Sequence, residues 1–197
     1  VLYWATKIGS GYDKNACGCP ILVDGCLYTY SGDLIYKVDT VSGEILATGQ
    51  MDHASSFAIN PPTYADGMLF IGLADGTVQA FNAANLESLW IYRDPLAGQP
   101  NCSIIYHEGY VYTGFWVGET NEANYVCISA TDEDPTQPKE EKLATWKYTS
   151  LGGFYWAGAY VCDDYLLIGT DDGKAGYTSG HARLLSFDPG TGVLLDQ

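Results

Sequence analysis

The chain has 197 residues, of which 47% are hydrophobic and 14% aromatic, a composition too apolar for a disordered segment. Its 24 Asp and Glu residues outnumber its 9 Lys and Arg residues, so the formal net charge is −15. This charge disfavours binding to nucleic-acid phosphates and to anionic lipids. The sequence has no uninterrupted run of about 18–20 apolar residues, so we expect no membrane insertion of this segment.

A turn followed by an apolar strand recurs along the chain at a fixed step. Asp24-Gly25, Asp66-Gly67 and Glu108-Gly109 each precede such a strand, and their glycines are 42 residues apart. A fourth copy, at Asp163-Asp164, comes 55 residues after the third glycine, and we attribute the excess to an insertion at the acidic run 131–141. A period of about 40–45 residues with several short strands per unit is typical of a β-propeller blade.

In chain order, the pattern predicts a leading strand and then four similar units. Each unit reads as an apolar strand, a tight glycine turn, an alternating strand, a second turn and a last strand. We therefore predict an all-β fold, a β-propeller segment of four four-stranded antiparallel blades without long helices. The predicted blades cover residues 17–48, 56–92, 102–149 and 155–197, and residues 1–8 are predicted to be the closing strand of a preceding blade.

The second turns of three of the four units carry a family resemblance, whereas the acidic insertion replaces the turn of the third. Residues 38–46 (VDTVSGEIL) and 187–194 (FDPGTGVL) resemble the quinoprotein-like, pyrroloquinoline-quinone-type propeller repeat, which reads roughly Ala-x-Asp-x-x-Thr-Gly-x-x-x-Trp. Residues 81–90 (FNAANLESLW) are a degenerate copy with Leu86 in the glycine position. The chain also resembles the propeller segment of secreted bacterial cell-surface proteins. This resemblance implies a secreted or cell-surface location, with the remaining blades or domains of a longer chain as partners.

The resemblance leaves two function classes open. By resemblance, the quinone-dependent dehydrogenases stack pyrroloquinoline quinone on a disulfide of adjacent cysteines and hold calcium with acidic and amide side chains. Here Cys17-Gly18-Cys19 is spaced by one residue, and no calcium ligands can be assigned from spacing alone. We therefore predict a non-catalytic binding or scaffold propeller that recognises protein or carbohydrate, without catalytic residues and without a cofactor.

Two aromatic clusters, at residues 112–116 (YTGFW) and 154–160 (FYWAGAY), are the candidate ligand site. Aromatic faces stack on sugar rings and anchor protein interfaces. The same side chains suit packing of blade on blade, and strand alternation sends Phe115 and Trp116 to opposite faces. The candidate ligand-binding residues are Tyr112, Phe115, Trp116, Tyr155 and Trp156.

The cysteines and histidines give no recognised metal motif. The six cysteines, at positions 17, 19, 26, 102, 127 and 162, form no C-x-x-C pair, and we predict mostly reduced, buried thiols. Cys17 and Cys19 are the alternative metal ligands. His53, His107 and His181 show no metal-site spacing. The acidic run at 132–141 suits either calcium or a solvated loop, so the metal stays open.

Overall fold

The computed structural model describes residues 1–9, 18–54, 60–156, 158–176, 180 and 182–197. In this part of the chain every regular element is a β-strand, which confirms the predicted all-β fold. Over the same residues, no helical segment could cross a bilayer. The strands are β1 (Ile21–Val23), β2 (Cys26–Ser31), β3 (Leu34–Asp39), β4 (Ile45–Gln50), β5 (Thr63–Ala65), β6 (Met68–Leu73), β7 (Thr77–Asn82), β8 (Ser88–Arg93), β9 (Ile105–His107), β10 (Tyr110–Gly114), β11 (Glu122–Ser129), β12 (Glu140–Lys142), β13 (Trp146–Leu151), β14 (Ala159–Val161), β15 (Leu166–Thr170), β16 (Arg183–Phe187) and β17 (Leu194–Asp196).

The strands form four sheets in chain order, which confirms the predicted propeller segment. Blade 1 has the order β1-β2-β3-β4, blade 3 the order β9-β10-β11-β13, and blade 4 the order β14-β15-β16-β17. Blade 2 has the order β5-β6-β7-β8, with β12 added beyond β8. Strand β9 contacts both β5 and β14, so the short first strands of these three blades lie together at one inner edge.

The insertion of blade 3 reaches across to blade 2. Its last residues form β12, which pairs in parallel with β8 and gives blade 2 a fifth strand. Arg93 of β8 pairs with Glu141 at 2.8 Å, and the buried Lys142 pairs with Glu133 at 2.9 Å. The insertion therefore covers a sheet edge whose backbone groups would otherwise be unpaired.

Each seam between consecutive blades is filled by its own hydrophobic cluster. Large apolar side chains from both blades are fully buried at each seam, and each contributes about 1.5–3 kcal/mol relative to an exposed position. Representative members are Tyr30, Ile35, Leu69 and Phe81 between blades 1 and 2, Phe70, Trp90, Val111 and Val126 between blades 2 and 3, and Tyr125, Phe154, Leu185 and Phe187 between blades 3 and 4.

Three tryptophans dock on the second turn of the blade that follows them. Each donates its indole N–H to the carbonyl of the second residue of that turn. The first residues of these turns are Asp39, Ser129 and Asp188. The bonds are Trp4 Nε1 to Thr40 O at 2.9 Å, Trp90 Nε1 to Ala130 O at 3.0 Å, and Trp146 Nε1 to Pro189 O at 2.8 Å.

Two of these indoles lie on glycines with positive φ. A Cβ added at Gly43 would stand 2.6 Å from Trp4, and one at Gly192 would stand 2.5 Å from Trp146. No strand is assigned within residues 1–9, although Trp4 occupies the docking position on blade 1. A closing strand of a preceding blade at residues 1–8 stays a prediction.

The seam between blades 1 and 2 is built differently. Blade 1 has Ala47 at the position where blade 2 has Trp90, four residues after the glycine position of the second turn. In blade 2, Leu86 takes that glycine position. Leu86 is buried with φ +61, so its side chain fills space that an indole takes elsewhere. The carbonyl of Ala83 accepts hydrogen bonds from the Tyr28 hydroxyl at 2.9 Å and from Lys37 Nζ at 3.2 Å. Residues from two other strands thus make the contact that an indole makes at the other seams.

Aspartates hold two of the docking turns in shape. Asp39 Oδ1 accepts hydrogen bonds from the amides of Ser42 at 2.7 Å and Val41 at 2.9 Å, and Asp188 Oδ1 accepts from the Thr191 amide at 2.8 Å. The Ser42 amide and hydroxyl hold the pKa of Asp39 below its usual value, and the Thr191 hydroxyl and amide do the same to the pKa of Asp188. These bonds place the turn glycine opposite the docked indole.

Candidate functional site

The structure separates the five predicted ligand-binding residues into two groups. Tyr112 and Phe115 are buried, with 2% and 0% of their surface exposed. The Tyr112 hydroxyl donates to Pro189 O at 3.3 Å in blade 4, and burial raises the pKa of this phenol. Phe115 belongs to the cluster between blades 2 and 3. These two side chains pack blade on blade and present no surface to a ligand.

The other three predicted residues contact one another, and we call them the aromatic cluster. Trp116 and Tyr155 have ring centroids 4.9 Å apart, and Tyr155 and Trp156 stack at 4.2 Å with an interplanar angle of 22°. Trp156 is 61% exposed and has φ +51, an uncommon conformation for a residue with a side chain. Trp116 Nε1 is shielded from solvent and has no hydrogen-bond partner among the described residues. The cluster thus offers an exposed indole supported by two further rings.

The loop that carries this cluster is fixed by backbone bonds to the neighbouring blade. The Phe154 amide donates to Phe115 O at 3.0 Å, and Phe154 itself is fully buried against Tyr125, with centroids 5.2 Å apart. On the other side of Trp116, its amide and carbonyl both bond to Gln99, at 3.0 and 2.7 Å. These anchors hold the chain on either side of the aromatic cluster in place, which lowers the entropic cost of binding a ligand.

A cleft of about 540 Å³ with several charged side chains in its walls lies beside the aromatic cluster, and Tyr155 forms part of its wall. This volume is within the range of about 300–1,000 Å³ that is usual for small-molecule sites. Its walls combine carboxylates with two cationic side chains from the end of β15, the start of β16 and the loop before β11. The charged lining residues are Glu119, Asp171, Asp172, Lys174 and Arg183.

Hydrogen bonds across the seam between blades 3 and 4 shape this cleft. The Thr170 hydroxyl donates to Gly153 O at 2.8 Å, and Arg183 Nη2 donates to the Ser150 hydroxyl at 2.9 Å. Glu119 Oε2 accepts from the Gly176 amide at 2.8 Å. The charged walls of the cleft are therefore held from both blades. Sequence reasoning did not identify Glu119 or Arg183, because nothing in the chain order shows that they face one space.

The cysteines are less uniformly buried than predicted. Cys127 is a buried free thiol whose pKa burial raises to about 12, whereas Cys26 and Cys162 are half-buried and Cys19 is exposed. Cys102 is buried and its thiol contacts Phe154 O at 3.0 Å. Cys17 and His181 lie outside the described residues. Metal binding by Cys17 and Cys19 therefore stays an untested alternative.

The fold and the docking turns define the class, a β-propeller segment of the quinoprotein-like type. Residues 3–130 match the family model described as outer membrane protein assembly factor BamB, and the chain belongs to this family. The match covers blade 1, blade 2 without the added β12, and the first three strands of blade 3. No curated protein matches the chain by sequence.

Solved structures share the fold at low sequence identity. BamB from Moraxella catarrhalis aligns with a TM-score of 0.62 and 12% identity, over 91% of this chain and 51% of that one. Quinohemoprotein alcohol dehydrogenase from Comamonas testosteroni aligns with a TM-score of 0.66 and 16% identity, over 90% of this chain and 34% of that one. A europium-containing methanol dehydrogenase aligns with a TM-score of 0.67 and 14% identity, over 89% of this chain and 40% of that one. The chain thus spans about half the length of BamB and less of the dehydrogenases, and the likeness shows the fold alone.

Proposed function

We propose that this chain is a non-catalytic binding segment of an extracytoplasmic propeller protein, and that the aromatic cluster and its cleft recognise carbohydrate. The observation that carries the proposal is the exposed Trp156 ring stacked on Tyr155, which also forms part of the wall of the cleft. The match to a family described as an outer membrane protein assembly factor supports a location outside the cytoplasm.

The chemistry of the site suits a sugar better than a purely apolar ligand. A pyranose has an apolar face that stacks on an aromatic ring, and hydroxyls at its edge that need hydrogen-bond partners. The Trp156 ring supplies the face, whereas Asp171, Asp172 and Glu119 supply acceptors and Arg183 supplies donors. An oligosaccharide can contact the ring and the cleft at once.

The described residues do not fit the quinone cofactor of the dehydrogenase alternative. The sequence has no pair of adjacent cysteines on which pyrroloquinoline quinone would stack. The cofactor is a polycarboxylate, and the cleft carries three carboxylates against two cationic side chains, a net negative charge that disfavours it. Among the described residues, His107, Glu108 and Asp163 come together as possible metal ligands. The imidazole in this group does not suit calcium, which prefers oxygen ligands alone.

A protein partner remains the second candidate, and the observation that favours it is on blade 4. Leu184, Val193 and Leu195 are more than half exposed on this blade. The chain covers 51% of BamB from Moraxella catarrhalis, so further blades of a longer protein are the partner that we propose for this surface. A longer protein that carries those blades is expected to melt at a higher temperature than this chain, and equal melting temperatures would contradict the proposal.

The carbohydrate proposal is tested with cellohexaose, maltohexaose and chitohexaose, titrated into the folded protein and followed by calorimetry. We expect one of these to bind, and Trp156→Ala to weaken its affinity roughly tenfold or more, because the central aromatic contact is lost. Tyr160→Ala is the matched control, since Tyr160 is as exposed as Trp156 on the same blade but lies outside the cluster.

The control variant should bind like the unmodified protein, and circular dichroism should show that both variants are folded. Two results count against the site: no binding by any of these oligosaccharides, or an equal loss in Trp156→Ala and Tyr160→Ala. Retention of a protein partner by the Trp156→Ala variant would place protein recognition on another surface.

A further inference from the structure

Three possible metal ligands meet at the inner edge of the seam between blades 3 and 4. His107 ends β9, and Glu108 follows it in the tight turn to β10. Asp163 stands at the equivalent place in blade 4, in the turn between β14 and β15. Because β9 contacts β14, the same turn from two consecutive blades brings the three side chains together.

The three side chains are close enough to converge on one ion. One ligand atom from each residue lies within 4.8 Å of the others, and His107 Nε2 is 3.0 Å from Asp163 Oδ1. Two ligands that bind a zinc ion at about 2.1 Å lie roughly 3.0–3.4 Å apart. Glu108 and Asp163 are exposed, so small side-chain rotations can close the remaining distance.

The imidazole nitrogen is not used by a hydrogen bond. His107 Nε2 is shielded from solvent and has no hydrogen-bond partner among the described residues. Asp163 Oδ1 is near enough for an ion pair, but the contact does not meet hydrogen-bond geometry. A nitrogen that is shielded from solvent and makes no hydrogen bond costs free energy, and a metal ion is one group that would satisfy it.

The charge around this group differs from that of the other described His–Asp pair. His53 Nε2 lies 3.4 Å from Asp52, but Asp52 is also paired with Arg93 at 2.7 Å and with Lys139 at 3.6 Å. In the described part of the chain, neither Glu108 nor Asp163 forms an ion pair with Lys or Arg. A divalent cation would neutralise the negative charge of these two carboxylates, which no described Lys or Arg balances.

We propose that His107, Glu108 and Asp163 bind one divalent transition-metal ion, with Zn²⁺ as the probe, across the seam between blades 3 and 4. One imidazole nitrogen and two carboxylate oxygens suit Zn²⁺, whereas Ca²⁺ and Mg²⁺ favour oxygen ligands throughout. Three protein ligands leave a position for water or for a group of a partner. The ion joins two blades and stabilises their packing by mass action. This site is independent of the aromatic cluster.

The test is a titration of the intact protein with zinc chloride, followed by calorimetry and by thermal unfolding. The unmodified chain should bind the ion saturably and melt at a higher temperature with zinc present. His107→Gln and Asp163→Asn should each weaken binding roughly tenfold or more and remove the zinc-dependent rise in melting temperature. His53→Gln is the matched control and should retain both effects.

Three outcomes overturn the proposal. These are the absence of saturable zinc binding, zinc binding of unchanged affinity in both His107→Gln and Asp163→Asn, and tighter binding of calcium chloride than of zinc chloride. The second outcome would move the ion to another group, such as Cys17 and Cys19. If His107→Gln does not fold, the exposed Glu108→Gln replaces it, because a change at a solvated carboxylate leaves the packing intact.

Discussion

Replacing Trp146 by Ala is expected to lower the free energy of unfolding by about 3–5 kcal/mol, the range for removal of a buried aromatic side chain. Trp146 packs on Tyr112 and Phe187, each with ring centroids 6.0 Å away, and so joins blade 3 to blade 4. The variant also leaves Pro189 O without the indole donor at 2.8 Å. Equilibrium unfolding in urea measures the loss.

The matched control is Trp156→Ala, which removes the same side chain from an exposed position. We expect it to change the free energy of unfolding by no more than about 0.5 kcal/mol. Similar losses in the two variants would contradict the division between docked and exposed tryptophans. A loss below about 1 kcal/mol at Trp146 would show that the seam does not depend on the docked indole.

Replacing Gly192 by Ala is the second large effect that we expect. Gly192 has φ +70, and an added Cβ would stand 2.5 Å from the Trp146 ring, so the indole must move. The backbone penalty and the overpacking together predict a loss of about 2–5 kcal/mol. Urea unfolding measures it. In a Trp146→Ala background the clash is absent, so the two losses should not add.

Gly25→Ala is the matched control for the backbone penalty alone. Gly25 has φ +77, and nothing lies within 4 Å of its added Cβ. We expect this variant to lose only about 1–2 kcal/mol. Equal losses at Gly25 and Gly192, or additive losses of Gly192→Ala and Trp146→Ala, would mean that the contact with the indole contributes nothing to the cost at Gly192.

The repeat made the fold predictable, because a fixed step of 42 residues between turn glycines requires copies of one short-strand module. The parallel pairing of β12 with β8 was not predictable. Three residues at the end of an acidic run carry no strand signal of their own, and only the proximity of blade 2 makes them a strand. The sequence shows Ala47 in place of a docking tryptophan, but it does not show that Leu86 is buried in the cluster between blades 1 and 2.

The candidate site was predictable only in part. Strand alternation predicted that Phe115 and Trp116 lie on opposite faces. In the structure Phe115 is buried and Trp116 is only partly buried. Alternation could not show that Tyr112 is enclosed by blade 4, because that depends on the neighbouring blade. His107 and Asp163 are far apart in the chain and have no metal-site spacing. Their signal was the repeat register, which gives Glu108 and Asp163 the same turn position in consecutive blades.

The central claim is that the chain uses its five tryptophans for two purposes. Trp4, Trp90 and Trp146 dock one blade on the next, whereas Trp116 and Trp156 form, with Tyr155, the surface that we propose binds the ligand. The most direct test follows the indole N–H signals of the ¹⁵N-labelled protein in NMR spectra as the oligosaccharide that binds best is added. The Trp116 and Trp156 signals should shift while the three docked indoles stay in place. Shifts confined to the docked indoles, or no shift at Trp116 and Trp156 at saturation, would contradict this account.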